Sequence, residues 1–443
     1  MKDRVGIILK RVSQLVVFLA FLSAFGMVVV HVQGGGQRLG RLTPFFWEFV
    51  TFPRTVKEAW EEAGKPSETL IRYRKDVEAV NKLDYDVYAI NAHFQKEQKR
   101  WMMALSNLKD DSVLHRWYLA EDSYNRTDRE FSNAEPRTCV LLEDWSLLVK
   151  LDDTKNLYRL NKDSEVLWHN TDYIYHHTMN LGSEGHLWAC SAENTYIRSR
   201  YIEKPRRSYY DNSVTHIDIS TGEVMEHISV SDMLIDNDYL GLAFGMSSGS
   251  LPIWERDPFH LNDVEPALEP GTYWEKGDLF LSLRNRSSIL QYRPSNHKII
   301  RVTQGNFMHQ HDVDILSDSL LALYNNNMPN LPTTAAGKVA NANPPKLELG
   351  SSEVMTYHLR DSSFQVFAKE RFEEEEIFSL IQGSYTFLEN GDLFVENSRT
   401  GLIYVLNGEE VLLRGYTSSP ENGLVEKPYW IRIYEDLSFL EGD

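Results

Sequence analysis

The sequence predicts an all-β chain, a six-bladed β-propeller preceded by an N-terminal transmembrane helix and a short juxtamembrane connector. Three observations carry that reading. With 22 Tyr, 20 Phe and 10 Trp among 443 residues, the chain favours many short aromatic strands over a helical bundle. From residue 84 onward, a strand-and-hairpin unit recurs six times with turn signals at short spacing, as radial repetition of four-stranded blades requires. A final strand-like segment, KPYWIRIYEDL (Lys427–Leu437), has no hairpin of its own, whereas the first copy is one strand short. A strand from the C-terminus that completes the first blade closes the ring and leaves no long edge unpaired.

In chain order, residues 1–11 form a basic tail with Lys2, Arg4, Lys10 and Arg11 against Asp3 alone. Residues 12–33 are then free of formal charge over the ~20 apolar positions that cross a hydrocarbon core. Basic residues before the span and an acidic bulk after it put the tail in the cytoplasm and residues beyond 35 in the periplasm or another extracytoplasmic space. The rival, a cleaved signal peptide, wants a small-x-small site, and VHVQGGG follows instead. Residues 34–83 read as a connector, with an aromatic patch (Pro44–Pro53) and a charged stretch in which Thr55–Gly64 has the punctuation of a short helix. The simpler reading there is a solvated stalk.

Residues 84–443 hold the repeats. The first copy joins WMMALSNL to SVLHRWYL. TCVLLEDWSLLVKL pairs with NLYRLNKDSEVLWHN, and HHTMNLGSEGHLWAC with VTHIDISTGEVMEHI. YWEKGDLFLSL precedes SSILQYRPSNHKIIRV, QHDVDILSDSLLALYN precedes EVMTYHLRDSSFQVFA, and SYTFLENGDLFVEN precedes GLIYVLNGEEVLLRG. Ser220–Gly222 and Asn407–Gly408 supply residues that accept the positive φ of tight hairpin turns. Two insertions break the pattern, Gly241–Arg256 and Asn326–Ser351. The second is rich in Pro, Ala, Gly and Asn, as expected of a surface loop or a lid over one face.

Composition narrows the function. Hydrophobic residues at 42% and charged residues at 25% are those of a globular protein. A net charge of −18 repels phosphate backbones and excludes nucleic acid as a partner. Two cysteines, Cys139 and Cys190, can form one bridge or none, and no four-thiolate zinc site.

Polar groups recur at matching places in successive copies. His176-His177 opens the third copy, His260 the fourth and His311 the fifth, while Arg284 ends the strand after His260. First strands of propeller blades line the central channel, so these positions converge. His309 and His311 share a face if the strand alternates through them, with Asp312 and Asp314 on the other, an arrangement that does not gather a metal.

These residues resemble a known family, the arylsulfate sulfotransferases that work without a nucleotide sulfate donor. Phe259-His260-Leu261-Asn262 is similar to the family's aromatic-His-x-Asn element, Ser282-Leu283-Arg284 to its Ser-x-Arg strand, and Gln310-His311-Asp312 to its Gln-His element. His176-His177 followed by Gly185 is similar to its His-His blade start, with Thr178 standing where Asp is common. The resemblance covers residues 100–435 in the family's order. It implies transfer of a sulfuryl group from an aryl sulfate to a phenol through a sulfohistidine, with no metal, nucleotide or other cofactor. His311 is then the nucleophile, His177, His260 and Arg284 surround the sulfate, and Asn262 and Gln310 bind substrate. The rival is a propeller that catalyses nothing and serves as a binding or assembly platform in the cell envelope. A scaffold has no need of three histidines and an arginine at converging positions.

Overall fold

The computed structural model describes residues 11, 13–21, 23–27 and 70–440, apart from 96, 99, 120–134, 196–208, 246–256, 329–349, 380–381 and 409. The chain divides into two units, Met1–Ser67 and Glu68–Asp443. In the first unit the described residues are helical. Among the described residues no helix is long and apolar enough to cross a membrane. The end of the expected span, the helix expected at Thr55–Gly64 and most of the Asn326–Ser351 insertion all lie outside the described residues.

The second unit is a six-bladed propeller of antiparallel sheets. Every expected copy is one blade. The second blade runs through Pro136–Leu141, Leu147–Leu151, Asn156–Leu160 and Val166–Asn170. The third holds Ile174–Leu181, His186–Thr195, Tyr209–Asp218 and Val224–Ser229, and the fourth Leu261–Pro266, Leu279–Leu283, Ser288–Arg293 and Lys298–Thr303. His311–Ile315, Leu320–Asn325, Glu353–His358 and Ser363–Phe367 make the fifth. The sixth is Tyr385–Phe387, Leu393–Asn397, Leu402–Leu406 and Val411–Tyr416. The first strands of neighbouring blades pack on one another around the axis.

Closure follows the expected device. Arg432–Tyr434, from the C-terminus, takes the first place in a blade completed by Tyr88–Gln95, Arg100–Asn107 and Val113–Tyr118, with Ile433 opposite Ala89. A second closure was not legible. Val80–Asn81 adds a fifth strand to the last blade, and Leu70–Arg72 pairs with Leu424–Glu426. Both lie within the stretch read as connector, so strand pairing starts ahead of residue 84. Strands of two and three residues are too short to show a period-two pattern.

The blades adhere through side chains that alternate off facing sheets. Trp101, Met103, Leu105 and Trp117 of the first blade pack on Cys139, Leu141, Leu147 and Val149 of the second. Each wholly buried leucine such as Leu147 or Leu281 contributes roughly 1.5–3 kcal/mol. Turn chemistry matters at Gly222, whose φ is +76° and where a Cβ would meet the Trp168 ring at 2.6 Å. Trp168 in turn donates from Nε1 to the Ile219 carbonyl at 2.8 Å, joining the second and third blades. The Asn407–Gly408 turn closes differently: Gly408 has no positive φ, and Asn407 Oδ1 instead accepts from the Glu410 N–H at 2.7 Å. The acidic run Glu373–Glu376 begins inside a helix (Lys369–Glu374), and both carboxylate oxygens of its Glu375 accept from Arg414 Nη1.

Candidate active site

The first strands are irregular where the histidines sit. Pairing slips between Tyr175 and Met179, between Leu261 and Asp263, and between His311 and Val313. His177, His260 and Asp312 have φ of 53°, 52° and 52°. Left-handed backbone at non-glycine residues costs roughly 1–3 kcal/mol each and clusters at functional sites. Here the bulges turn side chains from three blades toward one point. The His177 ring centroid is 4.9 Å from that of His260 and 6.2 Å from that of His311. His260 and His311, 83 and 134 positions along the chain from their common neighbour His177, have thus joined it in one cluster.

Each histidine is anchored differently. His311, only 1% exposed, has Nδ1 2.6 Å from Asn326 Oδ1 and 3.2 Å from the His309 carbonyl. The Asn326 amide donates to the carbonyls of Ser379 and Gln382 at 2.9 and 2.7 Å. His260 bonds through Nδ1 to the Asp257 carboxylate, whose other oxygen accepts from the His260 N–H at 3.1 Å. His177 donates its backbone N–H to Asp152 at 2.8 Å, and its Nδ1 lies 2.9 Å from that of His176. His176 reaches the Ser191 carbonyl from Nε2 at 2.9 Å. Thr178 takes no part in orienting His177; it donates to Asp263 at 2.6 Å, further along the first strands.

Burial sets the charge states. Burial first, then the Arg284 charge, holds His311 well below the ordinary imidazole value, with the Asn326 bond acting in the opposite sense. Burial, then His260, His176, His311 and Arg137, does the same to His177. Both are neutral imidazoles near pH 7. Burial raises Asp257, but the bond and charge of His260 outweigh it and leave the carboxyl below its usual value. Asp153 is raised to about 6 by burial and then by Asp152. A cavity of about 230 Å³ opens between Asp153, His176, His177, Tyr210, Asn212, Asp257, His260 and Leu261.

Arg284 follows strand Leu279–Leu283 in a 3-10 turn, and its N–H bonds the His260 carbonyl at 3.1 Å. Its Nη1 bonds Asn285 at 2.8 Å, while its buried Nε has no hydrogen-bond partner. The charge acts on both Asp257 and His311. The expected substrate-binding pair is bonded within the protein. Asn262, wholly buried, donates its amide to the Gln310 carbonyl at 2.7 Å, and Gln310 donates to the Ser288 carbonyl and Ser282 Oγ at 3.0 and 3.1 Å. Neither lines the cavity, and nor do Arg284 and His311. The donors of Asn262 and Gln310 brace blade four against blade five and hold the backbone before His311.

Several groups at the site escaped sequence reading. Arg137, at the bulge of the second blade, bonds Asp152 at 2.8 Å, and Asp152 also holds the wholly buried Lys150 at 2.7 Å. Trp430, with φ of 50°, sits 5.9 Å from both His177 and His311 and donates from Nε1 to Asp312. Arg137 does open its copy as His176-His177 opens the next, and that parallel was the available signal. The alternation assumed for His309, His311, Asp312 and Asp314 fails, because the strand starts at His311 and is bulged at Asp312. Among the described residues no group of three or more His, Cys, Asp or Glu is placed to hold a metal. Cys139 and Cys190 are buried free thiols, unbridged, and burial pushes Cys139 up to about 12.

No curated protein matches the chain in sequence. Among solved structures it is similar to a protein of unknown function from Bacteroides caccae, with a TM-score of 0.43 and 10% identity over 75% of this chain and 93% of that one. It is also similar to a virginiamycin B lyase from Staphylococcus aureus, with a TM-score of 0.36 and 10% identity over 80% and 88%. A third is hydrazine synthase from Kuenenia stuttgartiensis, with a TM-score of 0.40 and 7% identity over 70% and 71%. Residues 138–413, more than half the chain and spanning blades two to six, match the family described as arylsulfotransferase (ASST). The chain belongs to the arylsulfotransferase family.

Proposed function

We propose that this arylsulfotransferase moves a sulfuryl group from an aryl sulfate to a phenolic acceptor through a sulfohistidine on His311, with no nucleotide sulfate. The observation that carries the reading is the convergence of the His177, His260 and His311 rings from three blades, the first two lining one cavity, with the nucleophile held neutral. A neutral imidazole has the lone pair that attack on sulfur needs. As it attacks, the bond from sulfur to the aryl oxygen breaks, and the electron pair leaves on that oxygen. Charge on the peripheral oxygens of the group in transit resembles that of phosphoryl transfer and is met by fixed donors, Arg284 foremost, with His177 and Arg137 nearby. A protonated histidine supplies the leaving phenolate with its proton and recovers one from the acceptor phenol. In the return step the acceptor oxygen bonds sulfur and the nitrogen–sulfur pair goes back to His311.

The same reading puts the propeller outside the cytoplasm behind the basic tail and apolar stretch of residues 1–33. The test is transfer itself. The purified protein, given 4-nitrophenyl sulfate and phenol with no nucleotide, is expected to release 4-nitrophenol and make phenyl sulfate. Binding of aryl sulfate with no turnover over a broad set of phenols would favour the non-catalytic platform.

A further inference from the structure

We infer that the partners of the two Nδ1 atoms divide the labour between the histidines: Asn326 fixes His311 as the nucleophile, and Asp257 fixes His260 as the proton carrier. The inference rests on the reading in the preceding section and deepens it. Asn326 and Asp257 are positioning residues, acting through the imidazoles they hold.

The argument starts from the Asn326 amide. Its nitrogen faces two backbone carbonyls, Ser379 and Gln382, which only accept, so the NH₂ points there and Oδ1 points at His311. The other neighbour of His311 Nδ1 is the His309 carbonyl, again an acceptor. Two acceptors at one ring nitrogen require that nitrogen to carry the hydrogen. The lone pair is then on Nε2, which has no hydrogen-bond partner among the described residues. An amide oxygen is neutral, so it fixes the tautomer while drawing a second proton onto the ring less than a carboxylate would. Burial and Arg284 outweigh that pull and hold the ring against the charged form.

His260 is held by a carboxylate instead. Asp257 is itself fixed by the Asn212 amide at 3.1 Å and by the His260 backbone N–H. A carboxylate on Nδ1 compensates the imidazolium that a proton carrier must become, while Nε2 is left for the aryl oxygen. Asp153, His177, His309 and His311 are the other titratable groups that feel the His260 charge, and Arg284 bonds the His260 carbonyl through its backbone N–H. In the first half-reaction His311 Nε2 forms the bond to sulfur, the sulfur–oxygen bond breaks, and the proton on His260 Nε2 moves to the departing oxygen. The second half-reaction reverses each transfer on the acceptor phenol.

The experiment measures single-turnover formation of the covalent adduct on the full chain, with phenyl sulfate as a poor leaving group and 4-nitrophenyl sulfate as a good one. Asp257→Asn keeps the shape and a bond to Nδ1 but removes the charge. Phenyl sulfate should react more slowly by about 10²–10⁴, whereas 4-nitrophenyl sulfate, whose phenolate hardly needs a proton, should lose less than about tenfold. Asn326→Ala removes the tautomer hold and should slow both substrates alike, by about 10–100-fold, as loss of a partner behind a working imidazole does. Asn326→Asp puts a carboxylate on Nδ1, which favours the charged ring, so adduct formation should stay slow near pH 7 and recover as pH rises, a pH dependence that mere support of the loop would not show. Parallel loss on both substrates in Asp257→Asn, or an unchanged rate in a folded Asn326→Ala, overturns the division of labour. A wild type that never forms the adduct overturns the sulfohistidine reading beneath it instead.

Discussion

Replacing Arg432 by methionine tests how the C-terminal strand locks the ring. The guanidinium of this strand crosses to two other blades, donating to the Cys139 carbonyl at 3.2 Å and to the Met179 carbonyl and Asn180 Oδ1 at 2.8 Å each. Its charge also lowers the buried carboxyls Asp263, Glu265 and Asp314. Methionine keeps the stem and removes all three bonds, so the loss near neutral pH should be about 3–5 kcal/mol, as for stripping one partner from a buried ionic cluster. Its pH dependence follows from the carboxyls. Asp263 is raised to about 7 in the folded chain by burial, and then by Asp314. A raised carboxyl contributes stability below its ordinary value and loses it as pH rises through the folded value. Without Arg432 these groups rise further, so Arg432→Met should cost less at about pH 5, where they are protonated, than at about pH 8. Urea unfolding followed by tryptophan fluorescence reads both. A loss under about 1 kcal/mol, or one equal at the two pH values, would refute the reasoning.

Arg284→Ala and His260→Ala each remove one group that stabilises transferred charge or carries the proton, so each should slow turnover by about 10²–10³ while leaving His311 able to form the adduct on longer incubation. His309 meets His311 through its backbone carbonyl, which alanine keeps, so His309→Ala should cost far less in the same assay. Protease added outside intact cells should digest the chain beyond residue 35 and spare Met1–Arg11; protection of the propeller would reverse the orientation drawn from the charge distribution.

The ring was legible because its cause is periodic. Each blade carries its own hairpins, so six weak copies reinforce one another, and the stray segment at Lys427–Leu437 pointed to closure. Val80–Asn81 and Leu70–Arg72 were hidden because strands so short have no period. The histidines could be read since they open their copies, yet the bulges that aim them could not. A left-handed φ at His177, His260 or Asp312 leaves no mark in the residue type, as it would at glycine. That is why alternation misplaced Asp312 and His309. Asn262 and Gln310 came from the resemblance to the family, but only their bonds to the Gln310 carbonyl, Ser282 and Ser288 reveal a bracing role. Arg137, Asp257, Asn326 and Trp430 lie in four different parts of the chain, and only the fold makes them neighbours of the cluster.

The most direct test of the central claim is intact-mass analysis of the protein after incubation with an aryl sulfate and no acceptor, followed by fragment mapping. The account predicts a gain of about 80 Da, the mass of one sulfuryl group held on a nucleophile between half-reactions. The gain should map to His311, vanish when a phenol is added, and be absent in His311→Ala. An adduct that persists in His311→Ala and is lost in His177→Ala or His260→Ala would contradict the assignment of the nucleophile.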